Sequence, residues 1–452
     1  MNRLINISNQ VIIKILMFSS LVCVLITILA GLLSSMHYVE SLSLLLEKIG
    51  LHFASLRPIH TIFSSAWLFI GGITFIFKFL LDLYGPFNTL EKILFNIQMF
   101  CFVVSGLGIL ISVFIGYLSG REYLGFYPQF SIFIGIGWLI FSYLFFKKVY
   151  SSFWTAPVYV YMWGVAILFF MVSFIEAHFY LFRFVYNNPI IDMQIQWKSC
   201  GSLVAAFNQI IQGSLLYLVE CLGRDKVIAH SRSAFALFAI GLLNAFTNFA
   251  HHTYHIPQMH LIKWFSFIVS MLEIIIFTKI FFQVSSILNK KALLVQWLSV
   301  RFINLSKNWN ICLLPFAILI SIPPINTLIH GTTVVMAHAM GSEIVINSYI
   351  IFAIFSFLLV EMFGVNIYDG SFLGKCITKL VSLMNFSITI LILWLIISGI
   401  MSGICSYFLL SSCFIISYDA LFLLIFGGLF SLFSLILILF WITIILKFNI
   451  YN

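Results

Sequence analysis

"NAFTNFAHHTYHIPQMHLIKWF", Asn244 to Phe265, joins two apolar runs through a short polar stretch. The first run, near 232–251, closes on adjacent His251 and His252. The second, near 260–287, starts just past His255 and His260. Each has about the 20 residues a helix needs to cross the hydrocarbon of a bilayer. The stretch therefore reads as two membrane spans turned back on one another, with a pair of imidazoles where the first span ends. The rest of the chain extends the pattern. It has 452 residues, of which 62% are hydrophobic and 8% charged, and a mean hydropathy of +1.12. Soluble domains carry about 25% charged residues, so a polar surface over this much chain is excluded. Roughly twelve spans are expected: near 10–33, 60–81, 94–118, 128–148, 155–182, 199–222, 232–251, 260–287, 308–329, 335–363, 378–401 and 415–447. The loops are short, so the expectation is an all-α polytopic membrane protein with one membrane domain over 1–452. No cleavable leader is expected, because the first apolar stretch is long enough to span and lacks a small-residue cleavage site.

Charge assigns sides. The 23 basic against 14 acidic residues point to cytoplasmic loops and not to nucleic acid. Lys147 and Lys148, Arg224, Lys226 and Arg232, Lys290, Lys291, Arg301 and Lys307, and Lys375 and Lys379 all fall on one side of a twelve-span chain. Lys14 and Lys447 join them when both termini are cytoplasmic. The loops 34–59, 119–127, 252–259 and 330–337 then face outward. The eight cysteines show no CxxC or zinc spacing and are expected mostly as small apolar fillers.

Most of the histidines lie near the outer side. Ligating groups within a membrane are costly and point to function. His60 opens the second span in "LRPIHTIFSSAWLF", and His338 opens the tenth in "HGTTVVMAHAMGSEIV". His338 and Met340 are two residues apart, so they point roughly 200° apart around a helix; they suit two cofactors and not one ion. His251 and His252 differ by about 100°, and a partly unwound helix end can bring both onto one metal. Imidazole suits iron or copper. His178 and His230 read as snorkelling or capping residues, and His255 and His260 as loop or interfacial ones.

"RPIHT" at the second span, "GREYL" after the third, "HH" ending the seventh and "HGT…AHA" into the tenth occur in an order and spacing that resemble the haem-copper oxidase superfamily. Within it, the chain looks most like the large subunit of nitric oxide reductases, over essentially its whole length. The resemblance implies a haem-copper oxidase subunit I-like bundle in the cell inner (cytoplasmic) membrane. It implies that His60 binds a low-spin haem b, that His338 is the proximal ligand of a high-spin haem b, and that His251 and His252 hold a non-haem iron or copper. Glu273, in "SMLEIIIF", matches the glutamate of the reductases' "ALEPLPF" and is implied as the acid that handles protons. Glu122 matches a carboxylate that helps hold calcium near the haem propionates, although Gly125 stands where the family pattern has a second acid.

The sequence also departs from the family. Where the reductases have "WVVHLWVEGVWE" on the sixth span, this chain has "WKSCGSLVAAFN" from Trp197. Cys200 takes the position of the third metal histidine, Val204 that of a glutamate ligand and Asn208 that of a later acid. A thiolate binds iron or copper, and a buried cysteine equally serves as a small hydrophobe. Met340 stands where the other axial histidine of the low-spin haem is expected, and Met is itself a haem ligand that raises the potential. Oxygen-reducing relatives carry a redox tyrosine six residues before the double histidine, and here that position is Ala245, with Tyr254 just beyond the pair. The leading expectation is a nitric oxide reductase-type enzyme. Its electron donor would be a separate cytochrome c subunit or quinol, because the chain has no CxxCH. The alternatives are a haem-bearing electron-transfer or gas-sensing subunit without the second metal, a terminal oxidase-like oxygen reductase, and a transporter, which the lack of internal repeats disfavours.

Overall fold

The computed structural model describes residues 2–247, 253–254, 257–365, 367–408 and 418–447. Among these residues every regular element is helical. The helices are α1 (Asn2–Met36), α2 (Glu40–Lys48), α3 (Phe53–Leu83), α4 (Thr89–Phe114), α5 (Gln129–Val149), α6 (Val158–Ala177), α7 (Arg183–Tyr186), α8 (Pro189–Gly223) and α9 (Arg232–Thr247). They continue with α10 (His260–Lys291), α11 (Trp297–Ser321), α12 (Pro323–Ile329), α13 (Thr333–Met340), α14 (Tyr349–Phe363), α15 (Phe372–Tyr407), α16 (Asp419–Phe422) and α17 (Gly428–Lys447). Among the described residues, 11 helical segments are long and apolar enough to span a membrane, and Arg232–Thr247 is a shorter apolar helix. That helix is the described part of the expected seventh span; the end carrying His251 and His252 lies outside the described residues, as does His255. Two boundaries differ from the sequence reading. The 34–59 segment holds α2 and the first turns of α3, so His60 sits inside a helix and does not open one. The tenth span is not uniform: Gly341–Ser348 is a π-helical segment between α13 and α14. Such segments often mark functional sites.

The chain forms two compact units. One comprises 1–20 and 65–280, the other 21–64 and 281–452. In the first, aromatic rings and glycines set the packing. Trp138 stacks on Phe170 at 3.8 Å, and Phe69 meets both rings edge-on at 5.4 and 4.9 Å. Small residues let helices approach in lipid, where packing replaces the hydrophobic effect as the driving force. Gly213 admits the Trp163 indole, whose Nε1 would stand 2.9 Å from an added Cβ and donates to the Ile210 carbonyl at 3.2 Å. Gly108 and Gly137 likewise receive Phe130 and Phe102 across the α4–α5 pair. That pair is tied at one end: buried Glu91 closes the capping box of α4 with Asn88 and receives Lys147 and Lys148 from the end of α5, each at 3.2 Å.

In the second unit, Trp441 meets Phe302 and Phe352 edge-to-face, and those two rings pack tilted against each other, around the buried faces of α11, α14 and α17. Gly399 and Gly403 bring α15 against the backbone of Val334 and Leu328; an added Cβ would lie 2.4 Å from the Val334 nitrogen and 2.5 Å from the Leu328 oxygen. Cys23, Cys101 and Cys200 are buried and unbridged, whereas Cys405 is disulfide-bonded. His178 is structural: its ring nitrogens bond the Phe174 carbonyl and the Ser131 hydroxyl, both at 2.7 Å.

Candidate functional site

His60 is held in one orientation. Its Nδ1 donates to the carbonyl of Thr27 on α1 at 2.8 Å, and its ring lies flat on the backbone of Gly31. A Cβ at Gly31 would come within 2.5 Å of Nδ1 and 2.8 Å of Cε1, so a glycine is required there for close approach and not for backbone conformation. A histidine that donates its Nδ1 proton to a backbone carbonyl keeps the Nε2 lone pair for a metal, the usual arrangement around ligating imidazoles. The residue fits a haem ligand.

His338 and Met340 lie in the same unit, on α13. The helix is started by Thr332, whose side chain accepts from the Val334 nitrogen. It is fixed to α15 by the Thr333 hydroxyl on the Leu395 carbonyl at 2.9 Å. Both residues belong to regular α-helix, so the roughly 200° divergence expected of them stands. His338 Nδ1 is buried without a partner among the described residues, and the Phe316 ring lies 6.4 Å away. Buried polar atoms are rarely left unpaired, and an orphaned imidazole nitrogen fits a ring whose surroundings are completed by a bound group. Met340 is half-buried at the last turn of α13. Just beyond it, Glu343 lies in the π segment, where Asn347 approaches its carboxyl at 3.5 Å.

The other candidates belong to the first unit. The "GREYL" loop is tightly wound: Gly120 and Tyr123 have φ of 72° and 61°, and Tyr123 is a non-glycine residue in the left-handed region, a conformation that concentrates at functional sites. Ser119 pins the loop, accepting from the Arg121 nitrogen at 3.2 Å and donating to the Leu124 carbonyl at 2.7 Å. Glu122 and Cys200 line one small cavity, together with Arg121, Tyr180, Asp192 and Gln196. Arg121 dominates it. Its Nη1 bonds Asp192 at 2.8 Å and Gln196 at 3.3 Å, and its guanidinium lies 4.6 Å over the Tyr180 ring. Calcium takes six to eight oxygens. Here the Asp192 and Gln196 oxygens are already engaged by a cation of the chain itself, so this donor set does not fit a calcium ion. For the second metal, Cys200 is the described donor, because His251 and His252 lie outside the described residues. Among the described residues, no three His, Cys, Asp or Glu side chains converge on one point.

Glu273 is buried at 6% exposure on α10. Gln212 donates to its Oε1 at 3.1 Å and Asn244 to its Oε2 at 2.5 Å. Ala245, next to Asn244, is buried and its carbonyl accepts from Ser202 at 3.0 Å. Tyr254 is buried, and burial pushes its phenol up from the ordinary value. The neutral hydroxyl donates to the Lys263 carbonyl at 3.4 Å, while the Lys263 ammonium bonds the Tyr254 carbonyl. Tyr254 therefore anchors the start of α10. Sequence reasoning missed Arg121, Asp192, Gln209, Gln212 and Glu343. A signal existed for each, because charged and amide side chains are scarce in a chain with 8% charged residues and costly inside its spans.

Residues 11–428 match the family described as cytochrome c and quinol oxidase polypeptide I, and the chain belongs to that family. It is a haem-copper oxidase subunit I, a haem-containing, multi-pass membrane oxidoreductase family that also binds a copper or iron centre. The fold is similar to that of a solved structure described as a heme-copper terminal oxidase dimer, with a TM-score of 0.75 and 11% identity, over 97% of this chain and 84% of that one. No curated protein sequence matches the chain.

Proposed function

We propose that the chain is the catalytic subunit of a nitric oxide reductase-type enzyme, converting two nitric oxide molecules, two electrons and two protons to nitrous oxide and water. The observation that carries this reading is the carboxyl of Glu273, buried and hydrogen-bonded by two amides at the position where the reductases carry their conserved-motif glutamate. Ala245, where oxygen reductases carry a tyrosine, supports the same choice.

When bound, the haems and the second metal supply electron transfer and Lewis-acid chemistry. The chain supplies the rest. His60 and Met340 would hold the low-spin haem b, and His338 the high-spin haem b. His251, His252 and Cys200 would hold the non-haem iron or copper. Glu273 exchanges protons as a general acid and base, at Oε1 and Oε2, and its amide partners keep both oxygens oriented. The Arg121–Asp192 pair fixes the "GREYL" loop and α8, which carries Cys200. Electrons come from a cytochrome c subunit or quinol, and the chain lies in the inner membrane with both termini cytoplasmic.

A second reading is a haem-bearing electron-transfer or gas-sensing subunit. It is favoured by Val204, where a glutamate ligand is implied, and by Cys200 lying in the wall of the Arg121 cavity. Purification with the native partners separates the two, using haem extraction, metal analysis and a reduced-minus-oxidised spectrum. Two b haems and one further iron or copper per chain, with anaerobic nitric oxide consumption, are expected of the reductase. Haem without a second metal or nitric oxide turnover selects the second reading, and turnover of oxygen alone overturns the choice of substrate.

A further inference from the structure

We infer that Glu273, Gln209 and Gln212 enclose an internal water, and that Gln209 positions this water as the route by which protons reach the Glu273 carboxyl. The inference takes Glu273 as the proton-handling group proposed above. It starts from an imbalance in the hydrogen bonds of the first unit. Gln212 and Asn244 each turn an amide N–H toward Glu273, and the Asn244 carbonyl oxygen accepts from Ser270 at 2.8 Å. Three polar atoms are then left over. Gln212 Oε1 and both amide atoms of Gln209 are buried without a partner among the described residues, and the two residues are 5% and 2% exposed. Buried polar groups left unpaired are destabilising, so three in one place call for a partner that is not protein.

Gly241 on α9 shows that the Gln209 amide and the Glu273 carboxyl are neighbours. The position its Cβ would occupy is 1.9 Å from Gln209 Nε2 and 3.4 Å from Glu273 Oε1. The Gln209 amide thus occupies the space a side chain at 241 would fill, and it lies beside the Glu273 carboxyl, close enough for one water to bridge the two. One water reaches both atoms at hydrogen-bond lengths of about 2.9 Å. A buried water requires two to four polar partners, and Gln209 Nε2, Gln209 Oε1, Gln212 Oε1 and Glu273 Oε1 supply them. The partners of Glu273 in the protein only donate, so a proton on its carboxyl needs an acceptor, and water is both acceptor and donor. Amide N–H groups turned toward the carboxylate favour water over a metal cation, which needs oxygens facing it.

Infrared spectroscopy of the resting full-length protein tests this without depending on haem, second metal or turnover. The Glu273 band is isolated as wild type minus Glu273→Gln, and its response to D₂O is timed. The expected result is a deuterium-sensitive band in wild type, at least tenfold slower exchange in Gln209→Leu, and restored exchange in Gln209→Asn. Gly241→Ala, whose methyl group would displace the Gln209 amide, is expected to slow exchange similarly and replaces Gln209→Leu if that variant fails to fold. A wild-type band indifferent to D₂O, or exchange at the wild-type rate in both the Leu and Ala variants, overturns the proposal. Loss of nitric oxide turnover with this infrared pattern intact would count against the enzyme assignment and leave the water site standing.

Discussion

At His60, a glycine one helix away determines what the imidazole can do. Because Gly31 offers no side chain, the ring rests on the α1 backbone with Nδ1 on the Thr27 carbonyl. We predict that Gly31→Val displaces the ring, costs about 1–3 kcal/mol through overpacking and abolishes the low-spin haem spectrum in protein that still purifies as a folded species. A low-spin spectrum identical to wild type would sink the assignment of His60. Met340→His is expected to lower the midpoint potential of that haem, because thioether ligation raises it; spectroelectrochemistry reads the shift. The histidines and Glu273 were legible in the sequence because ionisable groups stand out against an apolar chain. What surrounds them was not. Gly31, Gln209 and Gly241 gain meaning only when a different helix is brought alongside, and no local periodicity encodes that neighbour.

At the level of elements, the helices themselves were readable, since runs of apolar residues about 20 long have few alternatives in a bilayer. Their ends and irregularities were less so. The extension of α3 back to Phe53 and the π segment at Gly341–Ser348 follow from packing and not from hydropathy. The clamp between the "GREYL" loop and α8 was also hidden, because Arg121 and Asp192 are 71 residues apart. Their side chains are 12% and 20% exposed. Removing one partner of a buried pair costs about 3–5 kcal/mol, and this exposure places Asp192→Asn nearer 2–3 kcal/mol. The measurement is the thermal unfolding midpoint in detergent. If Asp192→Asn melts with wild type, the clamp does not hold α8.

For the whole molecule, charge placement predicts sidedness. Reporter fusions or cysteine labels near 226 and 290 are expected to report the cytoplasm, and those near 123 and 259 the outside. The opposite pattern would invert the proposed direction of electron entry. The division of the chain into two units carries a further consequence, for the order of synthesis. The first unit is complete once residue 280 has been made, whereas the second draws on 21–64 and then on 281–452. The segment bearing His60 therefore emerges early and waits, through more than two hundred residues of translation, for α13 to arrive with His338 and Met340. A chain ending at Lys291 should retain the packed aromatic core of the first unit yet bind no low-spin haem. Cofactor loading would then be a late event in the life of the nascent chain, gated by its last third.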